Sequence, residues 1–146
     1  MGYISTYHGD IAIHTDADND TINPIIERFL QLVNDSITGD AETTTDADGD
    51  ITIDIWGEGK WYEWSTDLDG FVGELAANGC MVNGWIERSG EEDGDFERWD
   101  CIDNRTETRR GAVVYATDAE LLDIITRTYA GGPDAILGEL KHAVFG

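Results

Sequence analysis

Residues 43–59 read TTTDADGDITIDIWGEG, and the fold follows from this stretch. Ile51, Ile53 and Ile55 alternate strictly with Thr52, Asp54 and Trp56. That two-residue period belongs to a strand with one buried face. Thr43 and Thr45 favour a second strand, and the DADGD between them forms a turn. The stretch is therefore a β-hairpin, ended by Gly57 and Gly59. One apolar face of a hairpin needs a cover, which the flanking segments can supply.

On the N-terminal side, Ile11 and Ile13 alternate with Asp10, Ala12 and His14, so residues 2–14 read as a strand bent at Gly9. A helix follows over residues 22–35, capped by Thr21 or Asp20, with Pro24 in its first turn. Ile22, Ile25, Ile26, Phe29, Leu30 and Val33 give it one apolar stripe. After the hairpin, Ser65 or Thr66 caps a second helix that stops at Asn78-Gly79. Its buried face is Leu68, Phe71, Val72 and Leu75, and Asp67 and Asp69 sit at the positive end of its dipole. Strands over residues 80–88, 95–103 and 108–116 then form a meander around SGEEDGD and DNRT. Thr117 and Glu120 make a capping box for a third helix, which Gly131-Gly132-Pro133 breaks. A last helix over 133–145 carries Ile136, Leu137, Leu140 and Val144.

The order β-α-β-β-α-β-β-β-α-α predicts a single α+β domain over residues 1–146. Its sheet is mainly antiparallel, of about five or six strands, with helices packed on one face and two helices at the C-terminus. The other face is expected to be open, with Trp56, Trp85, Trp99 and Glu97 on it.

Composition bounds the function. The 146 residues hold 31 acids against nine Lys and Arg, a formal net charge of −22. Direct nucleic-acid binding is excluded as an expectation, because phosphate contacts need clustered cations. The same sign argues against anionic membranes, and no apolar run approaches the roughly 20 residues of a spanning helix. The N-terminus lacks the basic start and apolar block of a signal peptide, so a cytoplasmic location is expected. A folded chain of this mass exposes about 7,400 Å², or about 340 Å² per net charge. Duplex DNA carries one charge per roughly 100 Å². Imitating DNA would thus require the acids to gather on one side.

At GYIST, KWYEW and GEEDGDFERW the chain resembles a family of small uncharacterised proteins from phages and actinobacteria. The matching residues are Met1, Gly2, Tyr3, Gly9, Lys60, Trp61, Gly84, Gly90, Glu91, Gly94, Asp95, Arg98 and Trp99. They cover residues 1–14 and 58–103, with Arg98 and Trp99 in reversed order relative to the family pattern. The resemblance implies a phage or mobile-element setting, not an activity, and a phage-encoded chain would be found in the host cytoplasm.

Other chemistry is weakly signalled. Counted from Asp46, an EF-hand loop needs Gly at position six and Glu at twelve, but Ile51 and Gly57 stand there. His8, His14, His142, Cys80 and Cys101 lack metal-ligand spacing, so neither a metal nor a cofactor is expected. Cys80 and Cys101 fall on neighbouring strands, where a cross-strand disulfide is one reading and two free thiols the other. A small hydrolase would use Trp residues as a sugar platform beside Glu87 or Glu97, but no nucleophile elbow or phosphate loop is present.

The leading expectation is an acidic, non-enzymatic inhibitor. It would bind the basic nucleic-acid groove of a host defence nuclease or CRISPR effector, with carboxylates in place of phosphates. Its contact residues would be Asp46, Asp48, Asp50, Asp54, Glu91, Glu92, Asp93, Asp95 and Glu97, with Trp61 and Trp64 as anchors. The alternative is an accessory protein of a halophile or its virus, charged for solubility. A homodimer through the open sheet face or the final helix is a further expectation.

Overall fold

A computed structural model describes residues 3–111, 117–120, 122, 123, 138 and 142. The chain divides into two compact units, Met1–Gly111 and Ala112–Gly146. The first is an α+β layer of β1 (Ser5–Thr15), α1 (Asn19–Ser36), β2 (Ile37–Thr45), β3 (Ile51–Gly59), α2 (Trp64–Ala77), β4 (Cys80–Ser89), β5 (Phe96–Ile102) and β6 (Arg105–Gly111). In the second, the Thr117 hydroxyl accepts from the Glu120 N–H, one half of the expected capping box, while the Glu120 carboxylate accepts from that hydroxyl. The rest of the two expected C-terminal helices, and residues 112–116 of the expected last strand, lie outside the described residues.

The six strands form one antiparallel sheet in the order β2-β3-β1-β4-β5-β6. The N-terminal strand thus lies at the centre, between the hairpin and the meander. Its odd-numbered residues Tyr7, Ile11 and Ile13 are buried beneath the helices with Ile51, Ile53, Ile55, Val82 and Ile86. Phe29 of α1 stacks on Phe71 of α2 with ring centroids 3.9 Å apart, joining the two helices over that core.

Several local expectations need correction. Helix α1 begins at Asn19, and its cap is Asp18, whose carboxylate accepts from the Asp20 N–H. Pro24 therefore lies inside the helix rather than in its first turn. Helix α2 starts at Trp64 after Glu63, with no side-chain cap, so neither Ser65 nor Thr66 plays that part. The turn from β5 to β6 is only Asp103-Asn104, both with positive φ (48° and 68°). Two such residues make the tight turn whose twist suits a hairpin, so β6 starts three residues earlier than the DNRT reading places it. Asn104 also ties this turn to β4, accepting from Val82 N–H and donating to the Cys80 carbonyl.

Cys80 and Cys101 are both buried free thiols. Cys101 faces Gly84 across the ladder, four residues from Cys80. That is about 13 Å along a strand, beyond the roughly 7 Å limit for a disulfide.

Leu68 of α2 is fully buried, whereas Trp56 of β3 is 68% exposed. Leu68→Ala should lower stability by about 2–5 kcal/mol. Trp56→Ala should leave it within about 0.5 kcal/mol. Urea denaturation of the two variants checks both, and a large loss for Trp56→Ala would contradict the placement of that ring.

Candidate functional site

Alternation along the central strand turns His8, Asp10, Ala12 and His14 outward, away from the helices. Register then decides which residues meet them. Asp40 of β2, Trp56 of β3, His8 of β1, Glu87 of β4, Arg98 of β5 and Arg109 of β6 form one row across the open face. The next row is Glu42, Asp54, Asp10, Trp85, Asp100 and Glu107.

The two halves of this face differ electrostatically. On the β4-β5-β6 half, arginines neutralise the acids. Arg98 donates to Glu87 and Asp100, each at 2.9 Å, and Arg109 also donates to Asp100. Partial burial would raise the Asp100 pKa, but these two guanidinium groups outweigh it and hold the carboxyl below its ordinary value. Arg98 also lies over the Trp85 ring, 4.8 Å from its centroid. On the β2-β3-β1 half no Lys or Arg exists in any strand. Asp10, Asp40, Glu42, Asp54 and Glu58 are all exposed there. Among the described residues none of the five is in an ion pair. Glu42, Asp54 and Asp10 are direct cross-strand neighbours, an arrangement that like charges oppose. Beside them Thr6, His8, Thr38, Trp56 and Glu58 line a groove of about 510 Å³.

The residues expected from sequence to make the contact are dispersed. Asp46, Asp48 and Asp50 form the β2–β3 turn, beyond the Ile13–Ile51 end of the ladder. Glu91, Glu92, Asp93 and Asp95 form the β4–β5 turn, beyond Thr6–Ser89 at the other end. The strand length between them is about 25 Å, so the two clusters do not share one patch. Each is also partly committed within the fold. Asp46 accepts from the Asp48 and Asp50 N–H groups, and Asp50 lies 2.6 Å from His14. That carboxylate raises the His14 pKa by hydrogen bond and charge.

Asp95 and Glu97 clamp Arg88, which is only 8% exposed. All five guanidinium hydrogens are used, on Asp95, Glu97 and Ser5. Burial works against the Arg88 charge, and the two carboxylates more than restore it. The Tyr3 hydroxyl donates to Asp95 and accepts from the Glu92 N–H, which ties the N-terminus to the turn.

The anchor expectation is also corrected. Trp61 and Trp64 are buried against Tyr7, with centroids 5.5 and 5.9 Å away, and Trp61 donates to Asp67 at 2.8 Å. Of that segment Tyr62 is the exposed ring. Trp99 and Glu97 are not on the open face. Trp99 is fully buried and donates to Asp69 of α2, and Glu97 faces Arg88 on the helix side. Of the contact set only Asp54 belongs to the open acidic half. Asp10, Asp40, Glu42 and Glu58 fall outside the dense acidic runs at 46–50 and 91–95 and are spread over three strands, so clustering in sequence does not single them out.

No family model, curated protein or solved structure matches the chain.

Arg88 and Tyr3 hold the Asp95 carboxyl below its ordinary 3.8. A depressed pKa adds stability in full above the unfolded value and loses it as pH falls through the folded one. Asp95→Asn should therefore cost more stability at pH 6 than at pH 2.5. Urea midpoints at the two pH values measure this, and an equal loss at both would remove the pairing as the cause.

Proposed function

We propose that this chain is a binding protein whose β2-β3-β1 face presents carboxylates to the basic, nucleic-acid-binding surface of another protein. The carrying observation is the exposed Glu42–Asp54–Asp10 row, on three strands without Lys or Arg. Directly opposed like charges destabilise a sheet by a few tenths to about 1 kcal/mol per pair. A cationic partner would relieve that repulsion on binding, and it would steer association at low salt. The row replaces the two acidic turns as the centre of the contact. Inhibition of a host defence nuclease or CRISPR effector is the fuller form of the reading, and it draws on the phage-like segments 1–14 and 58–103. Catalysis has less support. Among the described residues the carboxylates with displaced pKa are Asp95 and Asp100, and both are lowered, the opposite of a general acid.

One observation favours the alternative of charge for solubility in a high-salt cytoplasm. The acidic turns point from opposite ends of the sheet, which suits solvation better than one contact. A halophilic chain should unfold when salt is removed, because the Debye length grows from about 3 Å at 1 M to about 30 Å at 0.01 M.

Asp54 lies between Asp10 and Glu42, so Asp54→Asn should raise stability by about 0.5–1 kcal/mol. It should also weaken capture of a DNA-binding protein from host lysate, and duplex DNA and salt should both release that protein. Capture unchanged by Asp54→Asn, or insensitive to DNA, would sink the proposal for this face.

A further inference from the structure

Two tryptophans on the open face sit in similar surroundings, and they differ in having a cation. Trp85 has Arg98 over its ring at 4.8 Å, and that guanidinium is held by Glu87 and Asp100. Trp56 stands two strands away in the sheet, in one cross-strand row with His8 and Glu87, His8 lying between the two. It too is bordered by carboxylates, with Asp40 opposite it on β2 and Asp54 and Glu58 two residues away on either side along β3. Its ring is 68% exposed beside the groove. The strands around it contain no Lys or Arg that could take the place Arg98 takes on Trp85.

We infer that Trp56 is a platform for an arginine side chain of a basic partner protein. The guanidinium stacks on the indole and donates to the flanking carboxylates, as Arg98 does on Trp85. The inference rests on the acidic-face function proposed above and names the group recognised there. Arginine is favoured over lysine because its planar group stacks on an aromatic face while still donating sideways, and it is more weakly hydrated. The base of a nucleotide could stack on the same ring, but the nucleotide's phosphates would meet the exposed carboxylates of Asp10, Asp40, Glu42, Asp54 and Glu58. A sugar could stack as well, yet it would leave those charges unanswered.

The test uses the full chain with nona-arginine and nona-lysine as probes, titrated at low salt by fluorescence and calorimetry. Nona-arginine should bind the native chain more tightly than nona-lysine. Trp56→Ala should reduce nona-arginine affinity about two- to fivefold, the size of an exposed cation–π contact, and should abolish the preference over nona-lysine. Trp56→Phe should retain part of that preference, and Trp85→Phe should leave the loss at Trp56→Ala in place. Asp54→Asn should weaken both peptides. If both peptides bind but Trp56→Ala leaves their ratio unchanged, the platform is wrong and the acidic-face reading survives. If neither peptide binds, the acidic-face reading fails and takes the platform with it. Binding of a neutral oligosaccharide lost in Trp56→Ala, or self-association lost in that variant, would assign the ring to a different occupant and overturn the inference.

Discussion

The register of the central strand is the constraint on which the rest depends. Ile11 and Ile13 of β1 are fully buried, and each such burial stabilises by about 1.5–3 kcal/mol. A slip of one residue would turn both into solvent and bring Asp10 and His14 under the helices. The opposing term is the repulsion in the Glu42–Asp54–Asp10 row, at most about 1 kcal/mol per pair. Burial wins by a clear margin. The acidic row is thus tolerated because the isoleucines on the reverse of the same strands leave it no other place.

Two uses of charge follow from the two sides of the sheet. On the helix side Arg88 is a buried cation, and all its hydrogens are satisfied by Asp95, Glu97 and Ser5. Removing one partner of such a group leaves an uncompensated charge, which is costly. Asp95 also closes the turn that follows β4 and accepts from the Tyr3 hydroxyl. On the open side the carboxylates of β1, β2 and β3 cost only mutual repulsion, and they remain available. The densest acidic run in the sequence is therefore in part a structural clamp, while the sparse acids make the free surface.

Much of the fold was legible in the sequence because alternation and helical stripes are local signals. The isoleucine pattern at 51–55 located the hairpin, and Leu68, Phe71, Val72 and Leu75 located the face of α2. Trp99 was misplaced, although parity could have corrected it. Trp99 and Cys101 share a parity, and both are buried on the helix side. Trp61 and Trp64 were misjudged for a different reason. Their burial comes from packing on Tyr7 of the distant β1, which no window around KWYEW contains.

The candidate surface was harder to read, and its physical basis explains why. Glu42 and Asp54 are 12 residues apart and meet across the β2–β3 hairpin, but Asp10 is 44 residues from Asp54 and joins them only through the insertion of β1 between β3 and β4. Parity alone would have turned Asp10 and Asp54 outward, but strand order and register were needed to align them. Clustering in sequence favours turns, where consecutive acids stay solvated and accept from their own backbone N–H groups, as Asp46 does. Clustering in space is what a basic partner would meet. For this chain the two point to different residues, so the net charge of −22 acquires a direction only once the strands are placed in order.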